Sequence, residues 1–125
     1  MAHLLLIDDD PVQLSVREAV LRRAGFTVSI ATSAEGAMAV MRSELLATNL
    51  RVIITDHVMP GVSGAEFVRA LRTLNSTVPV IVISGLPEVE SKYLGLNVRC
   101  LTKPCPPQLM IETVNQCLQE AADTP

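Results

Sequence analysis

Four places in this 125-residue chain set reactive side chains at the ends of apolar runs. Asp8, Asp9 and Asp10 follow "LLLI", and Asp56 lies in "IITDHVMPG". Ser84 ends "VIS" before Gly85, and Lys103 precedes Pro104 in "CLTKP". Consecutive carboxylates at the rim of a core are costly. Two unit charges 4 Å apart repel by about 4 kcal/mol at an effective dielectric near 20. Such a rim calls for a cation. Carboxylate and carbonyl oxygens suit a hard divalent ion, which keeps part of its water shell. A bound cation in turn favours the ionised acids around it. Asp10 has a second use, because Pro11 follows it: an aspartate before a proline is a helix N-cap with proline at the first helical position. Taken singly, Ser84 reads as a turn residue, Lys103 as a solvated lysine and His57 as a surface side chain. Only their convergence with the acids gives them chemical weight.

That convergence depends on the elements that carry them. Short aliphatic runs occupy residues 3–7, 27–31, 51–55, 79–83 and 98–101. Three of them are apolar almost throughout, as in parallel strands covered on both faces. Between the runs, Ala34, Ala37, Met38, Met41 and Leu45 fall on one helical face. So do Phe67, Ala70, Leu71 and Leu74, and likewise Met110, Val114, Cys117 and Leu118. Gly25 is placed to end the first helix and Ser33 to cap the second. The pattern is a (βα)5 α/β domain without repeats or linkers. In open α/β sheets, ligands bind beyond the carboxyl ends of the strands. The first, third, fourth and fifth runs deliver the acids, Asp56, Ser84 and Lys103 to that edge, while the second delivers only small residues.

Composition narrows the function classes. The net charge is −3 and there is no basic block, which argues against direct nucleic-acid binding. No apolar run approaches the ~18–20 residues of a membrane span, and the apolar N-terminus ends in acids rather than a cleavage site. Aromatics are confined to Phe26, Phe67 and Tyr93, so the core must be aliphatic. Cys100, Cys105 and Cys117 lack metal-ligand spacing and read as free thiols of a reducing cytoplasm.

The acid pair, "DHVMPG", the serine after the fourth run and "KP" after the fifth, in this order, resemble the receiver domains of response regulators in two-component signalling. The resemblance covers nearly the whole chain. It implies a doubly wound, flavodoxin-like parallel sheet of order 2-1-3-4-5, with residues 1–122 as the receiver and 123–125 as a tail. It implies that Asp56 accepts a phosphoryl group from a histidine kinase or histidine phosphotransfer protein. It further implies Mg2+ (or Mn2+) held by Asp9, Asp56 and the Val58 carbonyl, with Asp8 acting largely through water. Ser84 and Lys103 would bind the phosphoryl group, and the Lys103–Pro104 peptide would be cis. Val58 and Leu86 would border the approach of hydrolytic water. Such a domain catalyses only its own phosphorylation and dephosphorylation, in the cytoplasm. A kinase or effector domain can adjoin it outside this chain.

Two departures stand out. Cys100 and Cys105 occupy positions that are commonly aromatic in the family. The segment from Ser84 to Lys103 is also short, leaving Pro87 to about Leu94 for two helical turns. The usual aromatic toggle is therefore expected to be absent and that face remodelled. "LLLIDDDPV" also resembles the start of haloacid-dehalogenase-like phosphatases, with Asp8 as nucleophile and Asp10 as general acid. That alternative lacks metal-binding acids at a further strand end and leaves Asp56 without a role.

Overall fold

The computed structural model describes residues 2–43, 49–58, 61–75, 77–85 and 89–123. Five parallel strands run β1 (His3–Ile7), β2 (Thr27–Ala31), β3 (Leu50–Asp56), β4 (Val80–Ser84) and β5 (Val98–Thr102). They form one sheet of order β2-β1-β3-β4-β5. The helices are α1 (Pro11–Arg23), α2 (Ala34–Arg42), α3 (Gly64–Leu74) and α4 (Pro107–Asp123), with a 3₁₀ turn over Val89–Tyr93. Strand side chains alternate between faces. Leu4 and Leu6 of β1 pack with Leu14 and Leu21 of α1 and Met110 and Val114 of α4. Leu5 and Ile7 pack on the other face with Ala37 and Met41 of α2 and Phe67 and Leu71 of α3. Each such fully buried aliphatic side chain contributes about 1.5–3 kcal/mol, which is how a core nearly free of aromatics suffices.

Local chemistry fixes the helix ends nearest the rim. Asp10 Oδ1 accepts from the Val12 and Gln13 amides at 2.9 and 3.3 Å, so α1 is capped two residues beyond Asp8 and starts at Pro11. Gly25 follows the α1 cap at φ +98°, a conformation that glycine adopts without a Cβ clash. The Ser33 hydroxyl caps α2 through the Gly36 amide. The fourth strand begins at Val80 rather than Pro79, because proline has no amide to donate to the ladder. Ser84 is its last residue.

The connection from β4 to β5 departs from the expected two helical turns. Among its described residues the helical part is the five-residue 3₁₀ turn, and Gly95 (φ +80°) and Asn97 (φ +56°) reverse the chain directly after it. Arg72 of α3 fastens this connection, donating to the Leu96 and Asn97 carbonyls at 2.9 and 3.0 Å. None of the three cysteines is joined in a disulfide. Leu45, Met59, Pro60, Leu86, Pro87, Thr124 and Pro125 lie outside the described residues. Among the described residues, no helix is long and apolar enough to cross a membrane.

Candidate functional site

The carboxyl ends of β1, β3, β4 and β5 bring the reactive side chains together. Asp56 is the last residue of β3, on the central strand, and Asp8 stands one residue beyond β1. Both are buried, with relative exposures of 4% and 1%, whereas Asp9 and Asp10 are exposed. Lys103, one residue beyond β5, donates from Nζ to Asp56 Oδ2 at 2.7 Å. Its amide donates to the Ser84 carbonyl at 2.8 Å. Ser84 is itself buried and lies one position past Ile83, the register partner of Asp56. The Lys103–Pro104 peptide is cis. The Val58 amide donates to Asp56 Oδ1 at 3.3 Å, and the Val58 side chain is exposed.

A second cation, absent from the sequence expectation, completes the rim. Arg17 of α1 donates from Nη1 to Asp8 Oδ2 at 2.9 Å and stands 4.0 Å from Asp56 Oδ2. The Asp8 carboxyl nevertheless titrates above its ordinary range. Burial is the main cause and the Asp56 charge adds to it, against the lowering effects of the Asp10 amide, Arg17 and Lys103.

His57 is a correction to the expected surface position. It is buried, and its Nδ1 lies 2.7 Å from the Tyr93 hydroxyl, with the two rings edge to face. Burial, reinforced by the nearby Lys92 charge, lowers the imidazole pKa and favours its neutral form. The His57 carbonyl accepts from the Gly64 amide at 2.8 Å, joining the residue after Asp56 to the start of α3.

The donor set fits a hard divalent ion. Two buried carboxylates face a shared cation, and the side chains at hand offer oxygen rather than imidazole nitrogen or thiolate. Among the described residues, no three His, Cys, Asp or Glu side chains close into a metal cage. A hard ion such as Mg2+ needs no such cage, since it binds through one or two carboxylates and keeps several waters.

A family model described as the response regulator receiver domain matches residues 4–115. The chain belongs to that family. Protein PilH of Pseudomonas aeruginosa is 29% identical to it, over 94% of this chain and 98% of PilH. The transcriptional regulatory protein PrrA of Mycobacterium tuberculosis is 35% identical, over 98% of this chain but 52% of PrrA. The alkaline phosphatase synthesis transcriptional regulatory protein SphR of Synechococcus elongatus is 26% identical, over 99% of this chain and 51% of SphR. The chain thus spans about half the length of several curated relatives it matches. A receiver domain structure from Clostridium thermocellum superposes with a TM-score of 0.89 at 23% identity, covering 98% of each chain. Chemotaxis protein CheY4 of Vibrio cholerae superposes with a TM-score of 0.84 at 27% identity, covering 94% of this chain and 99% of CheY4.

In this receiver, then, Asp8, Asp56, Ser84 and Lys103 gather at one edge of the sheet, with Val58 beside them and Asp9 on the exposed side. The haloacid-dehalogenase alternative is not favoured. Its general acid, Asp10, is committed to capping α1, and its nucleophile, Asp8, is ion-paired to Arg17. Arg17 did leave a signal in the sequence. It follows Asp10 by seven residues, two turns along the same helical face. The His57–Tyr93 contact left none, since 36 residues separate the partners.

Proposed function

We propose that this receiver is a phosphoacceptor switch in which Asp56 takes a phosphoryl group from the phosphohistidine of a histidine kinase or histidine phosphotransfer protein. The observation that carries this reading is the buried Asp56 carboxylate, paired with Lys103 at 2.7 Å on the β5 side and facing Asp8 on the β1 side. An Asp56 oxygen attacks phosphorus as the phosphorus–nitrogen bond breaks. The imidazole leaves with the electron pair and takes up a proton. A carboxylate is a weak nucleophile, so positioning and charge neutralisation must supply the acceleration. Lys103 moves with the charge from Asp56 Oδ2 onto the phosphoryl oxygens. The Ser84 hydroxyl, one position past the strand partner of Asp56, donates to the same group.

Asp8, Asp9, Asp56 and the Val58 carbonyl are the groups that would hold Mg2+ (or Mn2+). That ion supplies charge neutralisation for the transferred phosphoryl group. We assign the protein to the cytoplasm, with residues 1–122 as the receiver unit. A kinase or effector domain outside this chain is a further partner.

Acetyl phosphate with Mg2+ should add one phosphoryl group to the wild type, read as an intact-mass shift. Asp56→Asn should abolish it, and chelation should suppress it in the wild type. Equal labelling of Asp56→Asn would remove Asp56 from the role.

A further inference from the structure

We propose that Arg17 is a built-in counter-cation of the acid rim, one that a divalent ion must displace from Asp8 in order to bind. The inference rests on the divalent-cation reading of the rim given above. One guanidinium nitrogen of Arg17 lies 2.9 Å from Asp8 Oδ2 and 4.0 Å from Asp56 Oδ2. It therefore occupies the space between the two buried carboxylates, where an ion shared by them would sit. The pair is shielded from water, with side-chain exposures of 13% for Arg17 and 1% for Asp8.

The placement follows from the start of α1. Asp10 caps the helix immediately after the acids, and Arg17 lies two turns further on the same face. Helical side chains tilt toward the N-terminus, so a long one at this position reaches back over the rim. Lys103 does not duplicate it. Its ammonium approaches Asp56 from the β5 side, whereas Asp8 pairs with Arg17.

Charge sets the consequence. Asp8, Asp9 and Asp56 carry three negative charges against two positive ones from Arg17 and Lys103, leaving a net charge of −1. Without Arg17 the same rim would carry −2 and attract a dication more strongly. Arg17 in its inward position is in addition a direct competitor for Asp8 Oδ2.

The displaced side chain also has somewhere to go. Gln13 precedes Arg17 by four residues, a spacing at which helical side chains meet. Its Oε1 is buried and accepts no hydrogen bond among the described residues. A guanidinium leaving Asp8 can donate to that oxygen one turn back, so Arg17 has two defined positions on one helix face.

The test uses the unphosphorylated full chain. Mn2+ binding is measured from the electron paramagnetic resonance signal of the free ion, for wild type, Arg17→Gln and Arg17→Lys. Thermal unfolding is measured in chelator and in excess Mg2+. Arg17→Gln should bind Mn2+ about three- to tenfold more tightly, the factor expected for losing a competing ion pair of this strength. Arg17→Lys keeps the charge without the planar fork and should fall between the two. In chelator, Arg17→Gln should melt below wild type, and in excess Mg2+ that deficit should close. Unchanged or weaker Mn2+ affinity in Arg17→Gln, with normal binding by wild type, overturns the inference alone. So does a melting deficit of equal size in chelator and Mg2+, the signature of a purely structural salt bridge. If neither protein binds Mn2+, the metal reading falls and the inference with it.

Discussion

Asp8 illustrates how a single side chain on the rim is held at odds with its surroundings. Its carboxylate accepts from the Asp10 amide and from Arg17, yet burial still raises its pKa above 3.8. A carboxyl that binds its proton more tightly when folded favours folding most below pH 3.8. That contribution is lost as pH rises through the raised folded value. At neutral pH the ionised Asp8 is thus a destabilising element. Asp8→Asn should raise the melting temperature of the chelated protein at pH 7, and the gain should shrink as pH falls toward 4. Thermal unfolding followed by circular dichroism across that range decides it. A lower melting temperature for the variant at pH 7 would mean that its interactions with Arg17 and Asp10 outweigh the burial penalty. Asp8 was readable as a candidate from residue type alone. Its unequal standing beside Asp9 was not, because which of two adjacent aspartates turns inward is decided by where β1 ends and α1 begins.

The elements around the site meet where β3 gives way to α3. Gly64, the first residue of α3, donates to the His57 carbonyl and lies against Tyr93 from the 3₁₀ turn. A Cβ at this position would collide with the Tyr93 hydroxyl and come within 3.0 Å of the His57 carbonyl oxygen. Gly64→Ala should therefore dislodge Tyr93 from His57 and destabilise the fold by about 1–3 kcal/mol, the usual cost of overpacking. Urea titration gives the energy, and the environment of the single tyrosine in near-ultraviolet circular dichroism reports the displacement. A stable variant with an unaltered tyrosine signal would show that this contact is loose. The strands were the most legible elements. Parallel strands covered on both faces are continuous apolar runs, and residues 3–7 are β1 to the residue; residues 27–31 match the edge strand β2 as well. The β4–β5 connection was legible only in its shortness. Its 3₁₀ turn is held by Tyr93 on His57 and by Arg72 on the Leu96 and Asn97 carbonyls, contacts with no local trace in the sequence. The cysteine at residue 100 does exclude the usual ring at that position of β5, but the region is not without a buried aromatic. Tyr93 is already inside, packed against the residue that follows the candidate phosphoacceptor.

Across the whole molecule, the sheet order explains why sequence-distant residues share one site. Placing β1 and β4 on either side of β3 sets Asp8 and Ser84 beside Asp56, and β5 brings Lys103 across β4. The four motif residues could be assembled from the sequence because each ends a strand at the same edge. Arg17 was missed because a helix brings it there, and His57 was misread as a surface residue because its partner Tyr93 lies 36 residues away. The central claim is that this edge receives a phosphoryl group on Asp56 and keeps it. The most direct measurement incubates the chain with a stoichiometric, radiolabelled phosphohistidine protein in Mg2+, then locates the label by peptide mapping at mildly acidic pH, where an acyl phosphate survives. The account predicts loss of label from histidine and its appearance on the peptide containing Asp56, with none after Asp56→Asn. Label on the Asp8 peptide, or release of phosphate with no labelled form of this chain at any time, would contradict it.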